Sequence, residues 1–551
     1  MPSKRPWKQA KPSKRQKTES AYTKEGSNEE ILHFDIRDLL STLSRSKIDT
    51  ATQTDSDTAP TEYTLPERFT EIEVEITSLS STGDGLGTSS EPDHVYVVPF
   101  TAPGDVVRAK VVHRNEKEKY TLTDFVEILK PSPQREDSRI KCPYFSKCSG
   151  CQFQMLSYED QLAHKKSVIE RAYKNFFNLP PELLPRVEDT IGSPLQYSYR
   201  TKLTPHFDLP RLSKSAHERN DSERKRIFAE VPPIGFMLKG RKKVVDIEDC
   251  PIGTEAVRRG LKSERARAIS KMDTFKRGAT LLLRESTERI RKAEREGKVK
   301  AASTAEGTAD TEQLPDVTSQ PSDASLIDIK TCTTDHTAIA TEYIDEYVFE
   351  NTAGAFFQNN NSILPLFTAY IRKHVVTPIA AENSKPIKHL IDAYCGSGLF
   401  TVTLSSLFTS STGIDIAAPS IVAAQKNTKL NSVSNARFIT ASAAELFKNV
   451  FSEPEETVVI IDPPRKGCDD AFLLQLQHFG PRRVIYVSCN VHTQARDVSV
   501  LVEGRGGVKY DVESLRGFDF FPQTGHVEGV AVLNRVEVVG DTEEKAEGKV
   551  E

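Results

Sequence analysis

His389-Leu390-Ile391-Asp392-Ala393-Tyr394-Cys395-Gly396-Ser397-Gly398 decides how the C-terminal part of this sequence folds. The run up to Ala393 reads as a buried strand. The glycines then turn the chain into a helix, where a bare backbone can approach a ligand closely. Gly413-Ile414-Asp415 ends the next strand, 23 residues after Asp392, and an acid at that place accepts hydrogen bonds from ribose hydroxyls. The turn is no pyrophosphate-binding Gly-x-Gly-x-x-Gly, because Leu399-Phe400-Thr401 follows its last glycine. A ligand with a ribose and no pyrophosphate fits, and S-adenosylmethionine is one. A dinucleotide fold or a plain tight turn are the alternatives.

Two further strand ends sharpen the reading. Val458-Val459-Ile460-Ile461 runs into Asp462-Pro463-Pro464-Arg465-Lys466-Gly467, and the prolines force a rigid exit that holds Asp462 at the sheet's carboxyl edge. Ligands bind at that edge in open α/β sheets. Asp-Pro-Pro also occurs in enzymes that methylate exocyclic amines, so it does not name a target by itself. Arg483 to Asn490 is the next strand and delivers Cys489 to the same edge. A lone cysteine is most often a small buried hydrophobe. One strand after Asp-Pro-Pro-Arg-Lys-Gly, a nucleophile is the better reading.

The chemistry explains the thiol. Carbon 5 of uracil is too weak a nucleophile to take a methyl group unaided, but a thiolate adding to carbon 6 turns the ring into an enolate. A base must then remove the proton left on carbon 5. Glu528, in Gln523-Thr524-Gly525-His526-Val527-Glu528 before a last strand, takes that role, with His526 ranked second.

The whole chain reads as multidomain. Its 551 residues, 28% charged and 37% apolar, suit two to four domains with some polar unfolded sequence. Residues 1–65 read as a disordered basic tail, opening with Lys4, Arg5, Lys8, Lys11, Lys14, Arg15 and Lys17. That run suits nuclear import, RNA contact or plain solvation. Residues 66–131 alternate as the short strands of a small OB-like β-barrel. Residues 132–352 form a central α+β domain with a flexible insertion at about 284–325. Residues 353–540 alternate strands and helices as a Rossmann-like α/β domain. Residues 541–551 are a loose tail. No apolar run is long enough to span a membrane or serve as a secretory signal. Eight cysteines are too few for a disulfide framework, so nucleus or cytoplasm is expected, with a mitochondrial address the weaker reading. A monomer is favoured.

With these residues in view, the chain resembles the uracil-C5 RNA methyltransferases. The resemblance spans roughly residues 66–535 and rests on Phe357-Gln358-Asn359, Asp392–Gly398, Ile461–Gly467, Ser488-Cys489-Asn490 and His526-Val527-Glu528. It implies that Gln358, Tyr394, Asp415 and Asp462 line the S-adenosylmethionine pocket, with Cys489 as nucleophile and Glu528 as base. Asp415 stands where the family usually has Glu, and Leu399 where bacterial members often have Asn, so the latter contact is not carried over. The barrel resembles a TRAM domain, whose Lys110, Arg114, Lys117 and Lys119 would suit phosphates. A spacer barrel is the bland alternative. Tyr199-Arg200-Thr201-Lys202 resembles an RNA-facing strand, or is a solvated face. For a eukaryotic member the resemblance implies tRNA, methylated at T-loop uridine 54. The same chemistry on rRNA is the runner-up, and an RNA-binding or folding protein with a vestigial site is the alternative of another class.

Cys142, Cys148 and Cys151 (Cys-x5-Cys-x2-Cys) with Cys250 before Pro251 give four thiols that could hold zinc or an iron–sulfur cluster, or nothing. In some members of the resembling family this pattern holds a [4Fe–4S] cluster.

Overall fold

The computed structural model describes residues 24–51, 64–91, 93–209, 231–294, 317–319, 323, 325–376, 385–441, 447 and 452–536. Within the stretch expected to be disordered, the described residues hold helix α1, Asn28–Ala51. Leu32, Ile36, Leu39, Leu40 and Leu43 recur at helical spacing and pack on Leu86, Val95, Val97 and Tyr120 of the barrel. The polar flanks hide this stripe, which is why the segment reads as a tail. The basic run before residue 18 lies outside the described residues.

Strands β1 Glu71–Leu79, β2 Gly85–Thr88, β3 Val95–Val98, β4 Val106–Asn115 and β5 Tyr120–Lys130 close into a barrel in the order β1-β2-β3-β5-β4. The alternation in β1 turns Val74 and Ile76 into its core. The barrel expected at 66–131 is therefore present.

Helix α2, Tyr158–Phe176, is capped by Ser157, whose side chain accepts from the Asp160 amide. After β6, Glu188–Ile191, come short antiparallel strands β7 Lys202–Leu203, β8 His206–Asp208, β9 Gly235–Met237 and β10 Val244–Asp246, then helix α3, Glu255–Ser270, and β11 Gly278–Thr280. Strand β12 covers Leu283–Arg291 and pairs with β14, Leu326–Thr333, so residues 284–291 are sheet and not insertion. A short β13, Val317–Ser319, also pairs with β14. Residues 295–316, the middle of the expected insertion, lie outside the described residues. Strands β15 Ile339–Ile344 and β16 Tyr347–Thr352 form a hairpin, with Asp345 in its turn at φ 51°.

The rest is the α/β unit: α4 Leu364–Val376, β17 His389–Ala393, α5 Leu399–Thr403, β18 Ser410–Asp415, α6 Ala418–Leu430, β19 Ala436–Thr440, β20 Thr457–Ile461, α7 Asp470–Phe479, β21 Arg483–Ser488, α8 Val491–Glu503, β22 Tyr510–Phe518 and β23 Glu528–Arg535. The sheet runs β19-β18-β17-β20-β21-β23-β22-β6. Strands β17 to β21 are parallel, and β23 turns antiparallel against β21. One face is covered by α7, α8 and α2, the other by α4, α5 and the β15–β16 hairpin. The sequence assigned α2 and β6 to a separate central domain, yet β6 is the edge strand of this sheet and α2 packs on its face. The segment after residue 540 lies outside the described residues.

Candidate active site

Four strand ends converge. Parallel β17, β18, β20 and β21 finish beside one another, so Tyr394, Asp415, Asp462 and Cys489 emerge along a single edge. Tyr394 has φ 64°, a left-handed conformation that a non-glycine residue rarely adopts, followed by Gly396 at φ 54° and Gly398 at φ 90°. A Cβ on Gly396 would meet nothing within 4 Å, so the turn borders open space. Asp415 holds this turn, one carboxylate oxygen accepting from the Gly396 amide at 3.0 Å and the other from Ala417 at 2.7 Å. Asp392 does the same for the following helix, accepting from the Thr401 amide at 2.9 Å and its hydroxyl at 2.6 Å. Its second oxygen is buried without a partner, and burial raises this carboxyl to about 7. Ile416, 72% exposed beside Asp415, offers an apolar face that the sequence reading missed.

Gln358 lies on the segment after β16, half-buried. Its neighbours fix the segment: Asn359 accepts from buried Arg284 at 3.1 Å, and Asn360 donates to Ser193 and to the Phe520 carbonyl. Arg284 is in turn paired with buried Glu342.

Cys489 and Glu528 meet through the sheet. Antiparallel pairing of β21 with β23 ends at Ser488 opposite Gly529, and the next position in that register sets Cys489 opposite Glu528. Burial pushes the Cys489 thiol up to about 12, with the Glu528 and Asp462 carboxylates adding to the rise. The Arg465 guanidinium opposes it, within hydrogen-bonding reach of the sulfur. Glu528 is 2% exposed, and its carboxyl is raised by burial and by Asp462, with Arg465 opposing. Asp462 is raised in the same way by burial and by Asp392. Arg465 stood in the quoted motif without a role; its signal was a cation directly after Asp-Pro-Pro. His526 lines a partly open cavity and is exposed to it, and desolvation by the surrounding protein lowers its imidazole to about 4. A base that weak at neutral pH ranks below Glu528.

That cavity, about 350 Å³, is lined by His526 and Arg465 and also by Cys142, Cys148, Cys151 and Cys250. Cys250, distant in sequence, is thus brought to the other three thiols, all four free of disulfides, and Cys148 sulfur accepts from the Gly150 amide at 3.4 Å. They share a cavity and not a point: among the described residues no group of three or more His, Cys, Asp or Glu is placed to hold a metal ion. Burial raises Cys148 to about 11 and Cys250 to about 12.

The RNA-facing candidates divide. Arg114 is spent on the carbonyls of Leu65 and Pro66, at 3.3 and 3.2 Å, and Lys202 on those of Gly354 and Ala355. Lys117 and Lys119 are exposed, and Arg200 lines the cavity. No helix among the described residues is long and apolar enough to cross a membrane.

The chain resembles known proteins in sequence and in fold. Residues 306–536 match the family profile described as tRNA (Uracil-5-)-methyltransferase, and residues 72–134 that described as tRNA (uracil(54)-C(5))-methyltransferase, TRAM domain. A Schizosaccharomyces pombe protein named tRNA (uracil(54)-C(5))-methyltransferase is 44% identical, covering 85% of this chain and 79% of its own length. A Saccharomyces cerevisiae protein of the same name is 38% identical over 92% and 81%. The crystal structure of Pyrococcus abyssi tRNA (uracil-54, C5)-methyltransferase with S-adenosyl-L-homocysteine shares the fold, with a TM-score of 0.55 at 23% identity, covering 84% of this chain and all of that one. With these matches added to the strand-end geometry, the chain belongs to the tRNA (uracil-5-)-methyltransferase family, TRAM barrel included.

Proposed function

We infer that this chain transfers a methyl group from S-adenosylmethionine to carbon 5 of uracil 54 in the T loop of tRNA. The observation that carries the chemistry is the register placing Cys489 across from Glu528, with Arg465 against the sulfur. The named relatives carry the choice of tRNA over rRNA. The three side chains that a vestigial site would have lost, Cys489, Asp462 and Glu528, are all in place at one edge.

Each residue then has a task. Gln358, Tyr394, Asp415 and Asp462 would hold the methyl donor, and exposed Ile416 would offer an apolar face to its adenine. Arg465 favours the Cys489 thiolate, which bonds to uracil carbon 6 and sends the ring electrons to oxygen 4. Carbon 5 then attacks the methyl, whose bond to the sulfonium breaks to leave S-adenosylhomocysteine. Glu528, made more basic by burial, takes the proton from carbon 5. The electrons left behind restore the 5,6 double bond and expel the Cys489 thiolate. Attack on carbons 5 and 6 requires the base to leave its stack.

Methyl transfer to tRNA and rRNA transcripts, with uridine 54 intact or replaced by cytidine, tests this reading. Label is expected only in tRNA carrying uridine 54, and none with Cys489→Ala. Transfer to rRNA alone would overturn the substrate, and activity surviving Cys489→Ala the mechanism.

For the four thiols we propose a [4Fe–4S] cluster on Cys142, Cys148, Cys151 and Cys250. Convergence of the four thiols on one cavity supports it. Its role there would be structural, and no step of the reaction is routed through it. Iron and sulfide content of anaerobically purified protein tests the assignment.

A further inference from the structure

Asn490, next to the nucleophile, uses its whole amide group. Its oxygen accepts from the His492 amide at 3.2 Å and so caps α8. Its nitrogen donates to the Arg465 carbonyl at 3.0 Å, and its second hydrogen goes to the carbonyl of Gly26 at 3.1 Å. Gly26 belongs to a turn just before α1, far away in sequence. A second contact lies nearly two turns along α8, where Arg496 pairs with Glu25 at 2.8 Å. The same Arg496 donates to the Lys466 carbonyl at 3.1 Å, and Thr493 to the Arg465 carbonyl at 3.3 Å. The start of α8 therefore grips the Asp462–Gly467 loop on one side and is gripped by Glu25-Gly26 on the other.

The fit of this hook is close. Gly26 has φ 68°, and a Cβ there would come within 2.5 Å of the Thr493 methyl. Behind it, α1 is anchored on both sides. Asp35 accepts from the Ser81 amide at 2.6 Å and hydroxyl at 3.0 Å in the barrel, and Asp38 pairs with Lys174 on α2 at 2.8 Å. Phe34 packs on Phe176, which itself meets the ring of His492.

We propose that the Glu25-Gly26 hook is a positioning element for the methyl-transfer reaction: it holds Asn490, and through it the Arg465 loop, in the geometry that sets the guanidinium against the Cys489 sulfur. It rests on the reading of Cys489 as nucleophile. With the hook removed, one Asn490 N–H loses its partner and the Arg465 carbonyl is held less firmly. The cost falls on alignment in the reacting complex and not on capture of either substrate.

Three variants test it. A chain starting at Lys24 lacks the basic tail and keeps the hook; one starting at Asn28 lacks both; Gly26→Val keeps the full length and drives the turn off Thr493. Single-turnover methyl transfer at saturating tRNA and S-adenosylmethionine is expected to match the native rate for the first and fall about tenfold for the other two. Dissociation constants for both substrates should stay within about twofold and the thermal midpoint within about 2 °C of the native chain. Full rates in all three, a loss confined to tRNA affinity, an equal loss in the Lys24 chain, or a collapsed midpoint in both hook variants would each overturn the proposal. An inactive native chain would instead sink the proposed function.

Discussion

Lys165 of α2 and Asp519, just beyond β22, form an ion pair with neither side chain exposed to solvent. The lysine also donates to the Phe521 carbonyl at 2.9 Å, so it anchors the loop that leads to Glu528. Lys165→Met leaves a buried carboxylate uncompensated and should destabilise the protein by about 3–5 kcal/mol. Adding Asp519→Leu should restore part of that loss. Urea denaturation of the single and double variants measures it, and strictly additive losses would remove the pair's claim to couple the two elements.

The pH profile should slope one way. The nucleophile is the thiolate, and burial pushes the Cys489 thiol above its ordinary value, up to about 12. Raising pH below that value increases the thiolate fraction up to tenfold per unit. The Glu528 carboxyl is also raised, so lowering pH protonates the base as well. Both effects run in the same direction, and the turnover rate should climb between roughly pH 6.5 and 9. A maximum below neutrality would contradict this assignment.

Glu528→Gln separates the two half-reactions. Carbon–sulfur bond formation and methyl transfer need no base at carbon 5, whereas release does. The variant should accumulate RNA covalently joined to Cys489, visible as a shifted band in denaturing gels, with turnover down about 100- to 10,000-fold. Cys489→Ala should form no such band.

Asp415→Ala frees the amides of Gly396 and Ala417 and loosens the turn bordering the donor site. S-adenosylmethionine affinity should fall about tenfold by calorimetry, which corresponds to one lost charge-assisted hydrogen bond. Affinity for tRNA should not move.

Cys250→Ser removes the one thiol distant in sequence from the other three. If the four hold a cluster, iron content and visible absorbance disappear together, and chelation of the native protein lowers its melting temperature. Native protein free of iron would end that assignment.

What was legible in the sequence had local causes. The strand ends at Asp392 and Asp462 follow apolar runs stopped by glycine or proline, and Cys489 follows the apolar run Val484–Val487. The barrel shows in the alternation of residues 71–76. Less legible were features set by contact between distant segments. The apolar stripe of α1 lies in polar surroundings and has meaning only against Leu86 and Val95. Arg465 was visible as a cation but its meeting with Cys489 depends on two loops. Residues 284–291 carry a charged pattern that reads as solvated chain, yet Arg284 is buried because Glu342 neutralises it.

Strand β6 has a consequence for biosynthesis. It joins the sheet in parallel with β22, Glu188 opposite Arg516, across more than three hundred residues of chain. At ribosomal speeds of about 5–20 residues per second, it leaves the exit tunnel tens of seconds before its neighbour exists. The barrel can close early from contiguous sequence, while α2 and β6 wait with apolar faces uncovered. Nascent chains stalled before residue 510 should therefore be the ones that chaperones hold, and the catalytic sheet should be completed only near the end of translation.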